Sequence, residues 1–444
     1  MARRSRRKKL PKEPVQARIK AFTHDGRGIA YVDDKAVFID GSIPGELVSF
    51  VYTNIRRDFA EGRVDRVLTA SDERVEPQCP HYDICGGCSL QHLDPHKQIL
   101  TKQDLLVEQL ENVGKLEVPA LWPPLTGAQW GYRHKARLGV KYVAKKARVL
   151  VGFREKRNRL IADIEHCPVL HPHVGNRLME LSCLIASLTI KDRIPQIEVA
   201  IGDRHSALVF RILQDITRTD RERLGEFGDR HGFDIYLQRQ GPESVVPLDA
   251  KSPSMLSYSL PNHAVSIDFS PIQFTQVNAE MNRKMVDRVI EVLQPATNDT
   301  ILDLFCGLGN FTLPLARKAA HVVGVEGSSE LVRAARHNAG KNGIDNVSFH
   351  AADLTQDPSG QAWAGRRYRK VLLDPSRAGA REVLAFLPRW GAERIVYVSC
   401  NPSTLARDAG ILVHELGYKM SRAGVMDMFP HTAHVESIAL FEKR

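Results

Sequence analysis

The stretch Val396–Pro402, VYVSCNP, ends an apolar β-type run on a thiol and then stops it with Asn-Pro. Four acids precede Cys400 in the same manner. Asp303 in TILDLFCGLGN, Glu326 in VVGVEGS, Asp353 in AAD and Asp374 in VLLDPSR each lie at or near the end of a strand-like run. They recur at intervals of roughly one βα unit, so in a parallel sheet all five groups would gather at its carboxyl edge, where such sheets bind ligands. The turn Gly307-Leu308-Gly309 lacks the third glycine of the dinucleotide fingerprint, and no phosphate-binding lysine follows it. A glycine turn without a phosphate cradle suits a nucleoside cofactor such as S-adenosylmethionine, with Glu326 on the ribose hydroxyls. A nicotinamide cofactor is the competing reading.

Beside a methyl donor, a thiolate has a specific use. It adds to an electron-poor ring carbon and leaves again by elimination. Uracil C5 is too weakly nucleophilic to take a methyl group unaided. Sulfur on C6 turns the ring into an enolate whose C5 can attack a sulfonium methyl. A base must then remove the C5 proton so that the cysteine is expelled. HTAHVESIALF offers Glu436, with His434 as its rival and an ordinary strand-edge glutamate as the plain alternative. Asp374 is suited to accept the uracil N3–H, and Arg377 to steady that carboxylate or a phosphate. Cys306 reads as a small residue packed beneath the glycine turn.

These groups need a scaffold. From about Phe274 an amphipathic helix, QVNAEMNRKMVDRVIEVL, leads into alternating strands and helices, which predicts a parallel sheet covered on both faces. Upstream, HDGRGIAYVDDKAVFIDGSIPGELVSFVY alternates short strands with glycine turns, the pattern of a small β-barrel. Between the two, residues from Trp130 to about Leu260 read mainly as antiparallel strands, with one apolar helix around Leu178–Leu188 in which Cys183 reads as a core thiol. DPHKQILTKQDLLVEQLENVG has helical spacing, with Gly114 as its C-cap. The resulting division is a basic, disordered tail (1–13), a barrel (14–70), a central domain (71–265) and a catalytic domain (266–444), with helix 96–114 packed either on its sequence neighbours or on the catalytic domain.

The net charge of +10 favours a polyanionic partner. From Arg133 to Arg159 eleven Lys or Arg face the single acid Glu155, interleaved with aromatics in the manner of a phosphate-tracking sheet. No run of about 18 apolar residues predicts a membrane span, and no apolar segment of an export signal follows the basic start. A cytoplasmic monomer is the expectation. Seven cysteines, an odd number, argue against a disulfide framework. Cys79, Cys85 and Cys88 in CPHYDICGGC, with Cys167 in EHCPVL, form a four-thiolate set. Only one Cys-x2-Cys knuckle is present, which weakens a zinc ribbon. Gly86-Gly87 would leave N–H groups free to approach cluster sulfides. Iron–sulfur and zinc both stay open on spacing alone, with His81, His92 and His166 as competing ligands.

LDLFCGLGNFTLPLA, LLDPSRAG, VYVSCNPSTLARD and HTAHVES together resemble the motifs of bacterial RNA uracil-C5 methyltransferases. With the barrel, which resembles the OB-like TRAM module, and the cysteine set, the likeness is to the branch acting on 23S ribosomal RNA. The resemblance implies an α/β, Rossmann-like, S-adenosylmethionine-dependent methyltransferase domain. It implies Cys400 as nucleophile and Glu436 as base, and cofactor contacts at Gln276, Phe305, Asn310, Glu326 and Asp353, with Asp374 between cofactor and uracil. It further implies a [4Fe–4S] cluster on Cys79, Cys85, Cys88 and Cys167. A uracil-C5 methyltransferase acting at another RNA site, an RNA cytosine-C5 methyltransferase, and an RNA-binding protein with a degenerate methyltransferase fold are the alternatives.

Overall fold

Near-continuous apolar runs such as IVYVS and TILDL bury both faces of a strand, so they form the interior of a helix-covered sheet. A computed structural model describes residues 10–11, 13–118, 120–250, 252–253 and 255–444 of the chain. Most of the basic tail therefore lies outside the described residues. The catalytic sheet contains β1 (Thr300–Leu304), β2 (His321–Glu326), β3 (Val347–Ala351), β4 (Lys370–Leu373), β5 (Arg394–Ser399), β6 (Tyr418–Met426) and β7 (Glu436–Lys443). Their order is β3-β2-β1-β4-β5-β7-β6. The first five are parallel, and the chain reverses its direction of travel across the sheet between β1 and β4. That crevice is the topological switch point where such sheets bind ligands.

The sheet departs from the all-parallel expectation at its end. β7 is antiparallel to both β5 and β6 and lies between them. Only a short connection, residues 427–435, joins β6 to β7, too short for a helical crossover, so the two pair as a hairpin.

One face of the sheet packs on helix Ala279–Leu293, which contributes Met281, Met285, Val289 and Leu293. The other face packs on helix Pro402–His414 and, from far upstream, on helix Pro95–Asn112 through Ile99, Leu106 and Leu110. That upstream helix thus belongs spatially to the catalytic domain. Gly114 does not take the left-handed conformation of a C-cap. A Cβ there would come within 2.8 Å of the Ala406 carbonyl, so its bareness serves close helix packing instead.

The central sheet is antiparallel apart from one parallel pair, Ser206–Arg211 with Asp234–Gln238, joined through helix Arg218–His231. Its residues Ala200, Val209 and Tyr236 share a core with the hairpin Leu256–Leu260/Val265–Phe269 and with the catalytic helix Ala279–Leu293. Cys183 is exposed rather than a core thiol. Leu178, Leu181, Leu184 and Ile185 take the inward stripe of its helix, and position 183 falls off that stripe.

The N-terminal strands close on themselves. Val15–Arg18 pairs with Leu47–Ile55, and the chain continues through Ile19-Lys20 so that Ala21-Phe22 pairs with Gly28–Val32. A barrel closed in this way hides its edges. It is fastened to the next segment by Arg74, whose guanidinium bonds both oxygens of the buried Glu46 at 2.6 and 2.8 Å.

Four of the eleven basic residues between 133 and 159 are spent internally: Arg137 on Glu198, Lys146 and Arg148 on Asp163, and Arg157 on Asp40. Lys141, Lys145, Arg154 and Arg159 remain exposed without an ion pair among the described residues.

Candidate active site

At the end of β1 the chain must turn sharply into the Gly307–Asn310 loop. Phe305, Gly307 and Gly309 all take positive φ, at 67°, 54° and 90°. For an aromatic residue that conformation is strained and survives only where surroundings impose it. Here the amides of Phe305 and Cys306 both donate to the Val325 carbonyl, at 2.8 and 3.1 Å, stitching the turn to β2. Glu326, at the end of β2, accepts the Gly307 amide on one oxygen (3.2 Å) and the Ser328 amide on the other (3.0 Å). Turn and acid thus form one lip. Beneath it Asp303 is fully buried, and Thr312 donates to one of its oxygens at 2.5 Å. The other oxygen has no hydrogen-bond partner among the described residues, and burial, followed by the nearby Asp374 and Glu326, pushes this carboxyl up to about 7.

Cys400 follows β5 and is half-buried. Its backbone is fixed on both sides: Asn401 donates to the Arg377 carbonyl (3.0 Å) and caps helix Pro402–His414 through Ser403. The β5/β7 register explains the partner. Ser399 pairs with Ser437, so the next step outward sets Cys400 opposite Glu436. Glu436 is buried, and its carboxyl is held up at about 8 by burial and by Asp374, with Arg377 opposing. Burial likewise raises Asp374 to about 7. The Cys400 thiol stands above its ordinary range through burial and then Glu436, while Arg377 works against the shift. Two carboxyls, a thiol and a guanidinium therefore share one electrostatic neighbourhood.

Cys400 opens on a cleft of about 820 Å³ whose far wall comes from other domains, including Arg133, Phe153 and Ser89. His434 lies exposed on this cleft, its ring 5.3 Å from that of Phe429.

Residues 207–444 match the family model described as tRNA (Uracil-5-)-methyltransferase. Over 443 residues the chain is 57% identical to the 23S rRNA (uracil(1939)-C(5))-methyltransferase RlmD of Methylococcus capsulatus, covering 100% of both chains. The chain belongs to the tRNA (uracil-5-)-methyltransferase family. Its relative of the same name in Alkalilimnicola ehrlichii is 52% identical, over 99% of this chain and 98% of that one. The crystal structure of the Pyrococcus abyssi tRNA (uracil-54, C5)-methyltransferase, in complex with S-adenosyl-L-homocysteine, has the same fold. It superposes with a TM-score of 0.71 at 24% identity, covering 96% of this chain and 99% of that one.

Within this uracil-C5 methyltransferase, the residues singled out in the sequence do not all converge. Asp303, Asp374, Glu326, Glu436 and Cys400 form one linked set. Asp353 is exposed, and its carboxylate caps a local turn through the amide and hydroxyl of Thr355, at 2.9 and 2.7 Å. The Asn310 amide is already engaged by Asn282 and the Tyr258 hydroxyl. Gln276 stands half-buried in the loop before helix Ala279–Leu293.

Cys79, Cys85, Cys88 and Cys167 line one cavity together with Phe153 and Ile164. Burial raises Cys88 to about 12 and Cys167 to about 11. Among the described residues, no group of three or more His, Cys, Asp or Glu converges tightly enough to hold a metal ion. The expectation for the two glycines is half corrected: the Gly86 amide is spent on the Arg154 carbonyl (2.8 Å), whereas the Gly87 amide faces Cys85 Sγ at 3.4 Å. His92 is turned away into a 2.6 Å bond with the Tyr82 hydroxyl. Sequence reasoning had no signal for the adjacency of this cysteine segment to the Cys400 cleft, because only tertiary packing creates it.

Proposed function

We propose that the protein methylates C5 of a uracil in 23S ribosomal RNA, at the position equivalent to uracil 1939 named for its relatives. The observation that carries the mechanism is the β5/β7 register, which sets a half-buried thiol opposite a buried carboxyl at the carboxyl edge of the sheet. The residues fit an S-adenosylmethionine site: the strained turn meets open space at Gly307 beside Glu326, and beneath it one Asp303 oxygen has no partner among the described residues. When bound, S-adenosylmethionine supplies an electrophilic methyl group. Phe305, Glu326 and Asp353, with Gln276 and the backbone at Asn310, are the residues that would hold it.

The Cys400 thiolate bonds to uracil C6, and the displaced π electrons reach C5 and O4. Asp374 accepts the N3–H and orients the ring. After C5 has taken the methyl group, Glu436 as carboxylate removes the C5 proton. The C–H electrons restore the C5–C6 double bond and the C6–S bond breaks, returning the thiolate. The cleft excludes a base still stacked in a helix, so the target uracil must be turned out of its strand.

The four cysteines fit a thiolate-bound [4Fe–4S] cluster. They line a common, largely apolar cavity, and the Gly87 amide faces the Cys85 sulfur as it would face a cluster thiolate. A [4Fe–4S] cluster held there would anchor the segment that walls the cleft. The N-terminal barrel, as a TRAM module, and the free basic residues of the central sheet would grip RNA.

Incubation of a 23S RNA fragment with labelled methyl donor, followed by nucleoside analysis, should yield 5-methyluridine. The same fragment carrying 5-fluorouridine at the target should trap a covalent complex that Cys400→Ala cannot form. Labelled 5-methylcytidine, or no transfer at all, would overturn the reading.

A further inference from the structure

Glu436 begins β7, but what aims it is the segment Asp427–Val435 just before it. That segment is held largely by residues more than three hundred positions away in sequence. Lys102 Nζ donates to Asp427 Oδ1 at 2.8 Å and to the Phe429 carbonyl at 2.9 Å. The Tyr132 hydroxyl donates to the Pro430 carbonyl at 3.0 Å. Gln98 accepts the His431 amide at 2.9 Å and donates to the carbonyls of Leu90 and Leu93 at 3.0 and 2.9 Å. The His431 carbonyl accepts the amides of both Ser89 and Leu90, and Ser89 Oγ accepts the Ala433 amide at 3.1 Å.

His431 sits at φ 65°, a region that side chains avoid, with the Trp130 ring stacked on it at 4.0 Å. Its conformation is imposed by these partners. Lys102 and Asp427 are only 2% and 6% exposed at their side chains. A buried ion pair of this kind adds little stability over an apolar pair of the same shape, so what it supplies is position.

We propose that Lys102, Gln98 and Ser89 are positioning residues that fix the Asp427–Val435 segment and thereby hold Glu436 in register with Cys400. The inference rests on Glu436 acting as the base. Cys400 hangs from β5 and from the Arg377 loop, outside this set of bonds, so thiol addition and methyl transfer are spared when the set is broken. Proton removal and release of the cysteine are not spared.

The covalent protein–RNA adduct reads the difference. Lys102→Met/Asp427→Leu exchanges the ion pair for apolar side chains, and Gln98→Met removes the bonds to the His431 amide and to the Leu90 and Leu93 carbonyls, so the second decides if the first does not fold. With full-length protein, a 23S RNA fragment and S-adenosylmethionine, single-turnover methyl transfer should stay within about twofold of wild type. Product release should slow about tenfold or more in the double variant and about threefold in Gln98→Met. Methylated adduct should accumulate on denaturing gels in both. Adduct levels unchanged from wild type, whether turnover is normal or both steps fall together, would overturn the positioning role. Glu436→Gln is the control: if it too accumulates no adduct, the assignment of the base fails instead.

Discussion

Cys400 is no ready-made thiolate. Burial, Glu436 and Asp374 hold its proton on, with Arg377 and a backbone hydrogen bond opposing, so the resting thiol stays protonated and, in the proposed mechanism, must lose its proton as it attacks. Cys400→Ser should lower methyl transfer by at least about a thousandfold, measured as labelled 5-methyluridine; an undiminished rate would refute nucleophilic catalysis. Glu436 carries the complementary prediction. Its carboxyl is raised from 4.5 to about 8, so the free enzyme holds more of the active carboxylate as pH rises, and kcat/KM should climb through that value. The linkage sign is the reverse for stability. Between 4.5 and about 8 the native state binds the extra proton, so this group's contribution to stability is lost as pH rises through the window, and Glu436→Gln should flatten that dependence in melts recorded across it. The acid series and the thiol were legible in sequence because each is a local strand-end signal. The preference for Glu436 over His434 was not, since one is buried in register and the other exposed only in the folded molecule.

At the scale of elements, the β1 turn depends on Asp303 and Thr312. Thr312→Val removes the side-chain hydrogen bond to a buried carboxyl and should cost about 1–3 kcal/mol, measured by denaturant unfolding. A neutral effect would mean that Asp303 is satisfied in another way. The barrel carries a similar device with the opposite pH sign. Burial works to raise Glu46, but Arg74 and the Ile43 amide outweigh it and hold the carboxylate below its ordinary range. Its contribution is therefore present above the ordinary carboxylate pKa and lost as pH falls through the lowered one. Arg74→Met should abolish that acid-side dependence and lower the melting temperature at neutral pH. Strands and helices followed from period and turn residues, whereas the antiparallel β7 did not, because a short connection constrains direction without indicating which neighbour the strand will choose.

Across the whole molecule, the cleft at Cys400 is a joint product of five regions: the catalytic sheet, the N-terminal barrel, the cysteine segment, helix Pro95–Asn112 and the central sheet. RNA affinity should fall steeply with salt, and Arg154→Ala, which removes an exposed basic residue without an ion pair among the described residues, should reduce the logarithmic salt slope by about one. An unchanged slope in filter binding would remove Arg154 from the RNA path. Composition pointed to a polyanion, yet it could not tell free charge from charge already paired with Glu198, Asp163 or Asp40.

The amino-acid sequence by itself determined what is local: the glycine turn after β1, the acids and thiol at strand ends, the spacing of four cysteines, and an amphipathic helix upstream of the sheet. Each depends on backbone preferences and side-chain periodicity within a few residues. The tertiary structure alone decided what meets what. It slid β7 between β5 and β6, set Cys400 against Glu436, and brought Lys102, Gln98 and Ser89 onto the loop that precedes Glu436. Those pairings join residues tens to hundreds of positions apart, and their register is settled by the packing of the whole core rather than by any window of the chain.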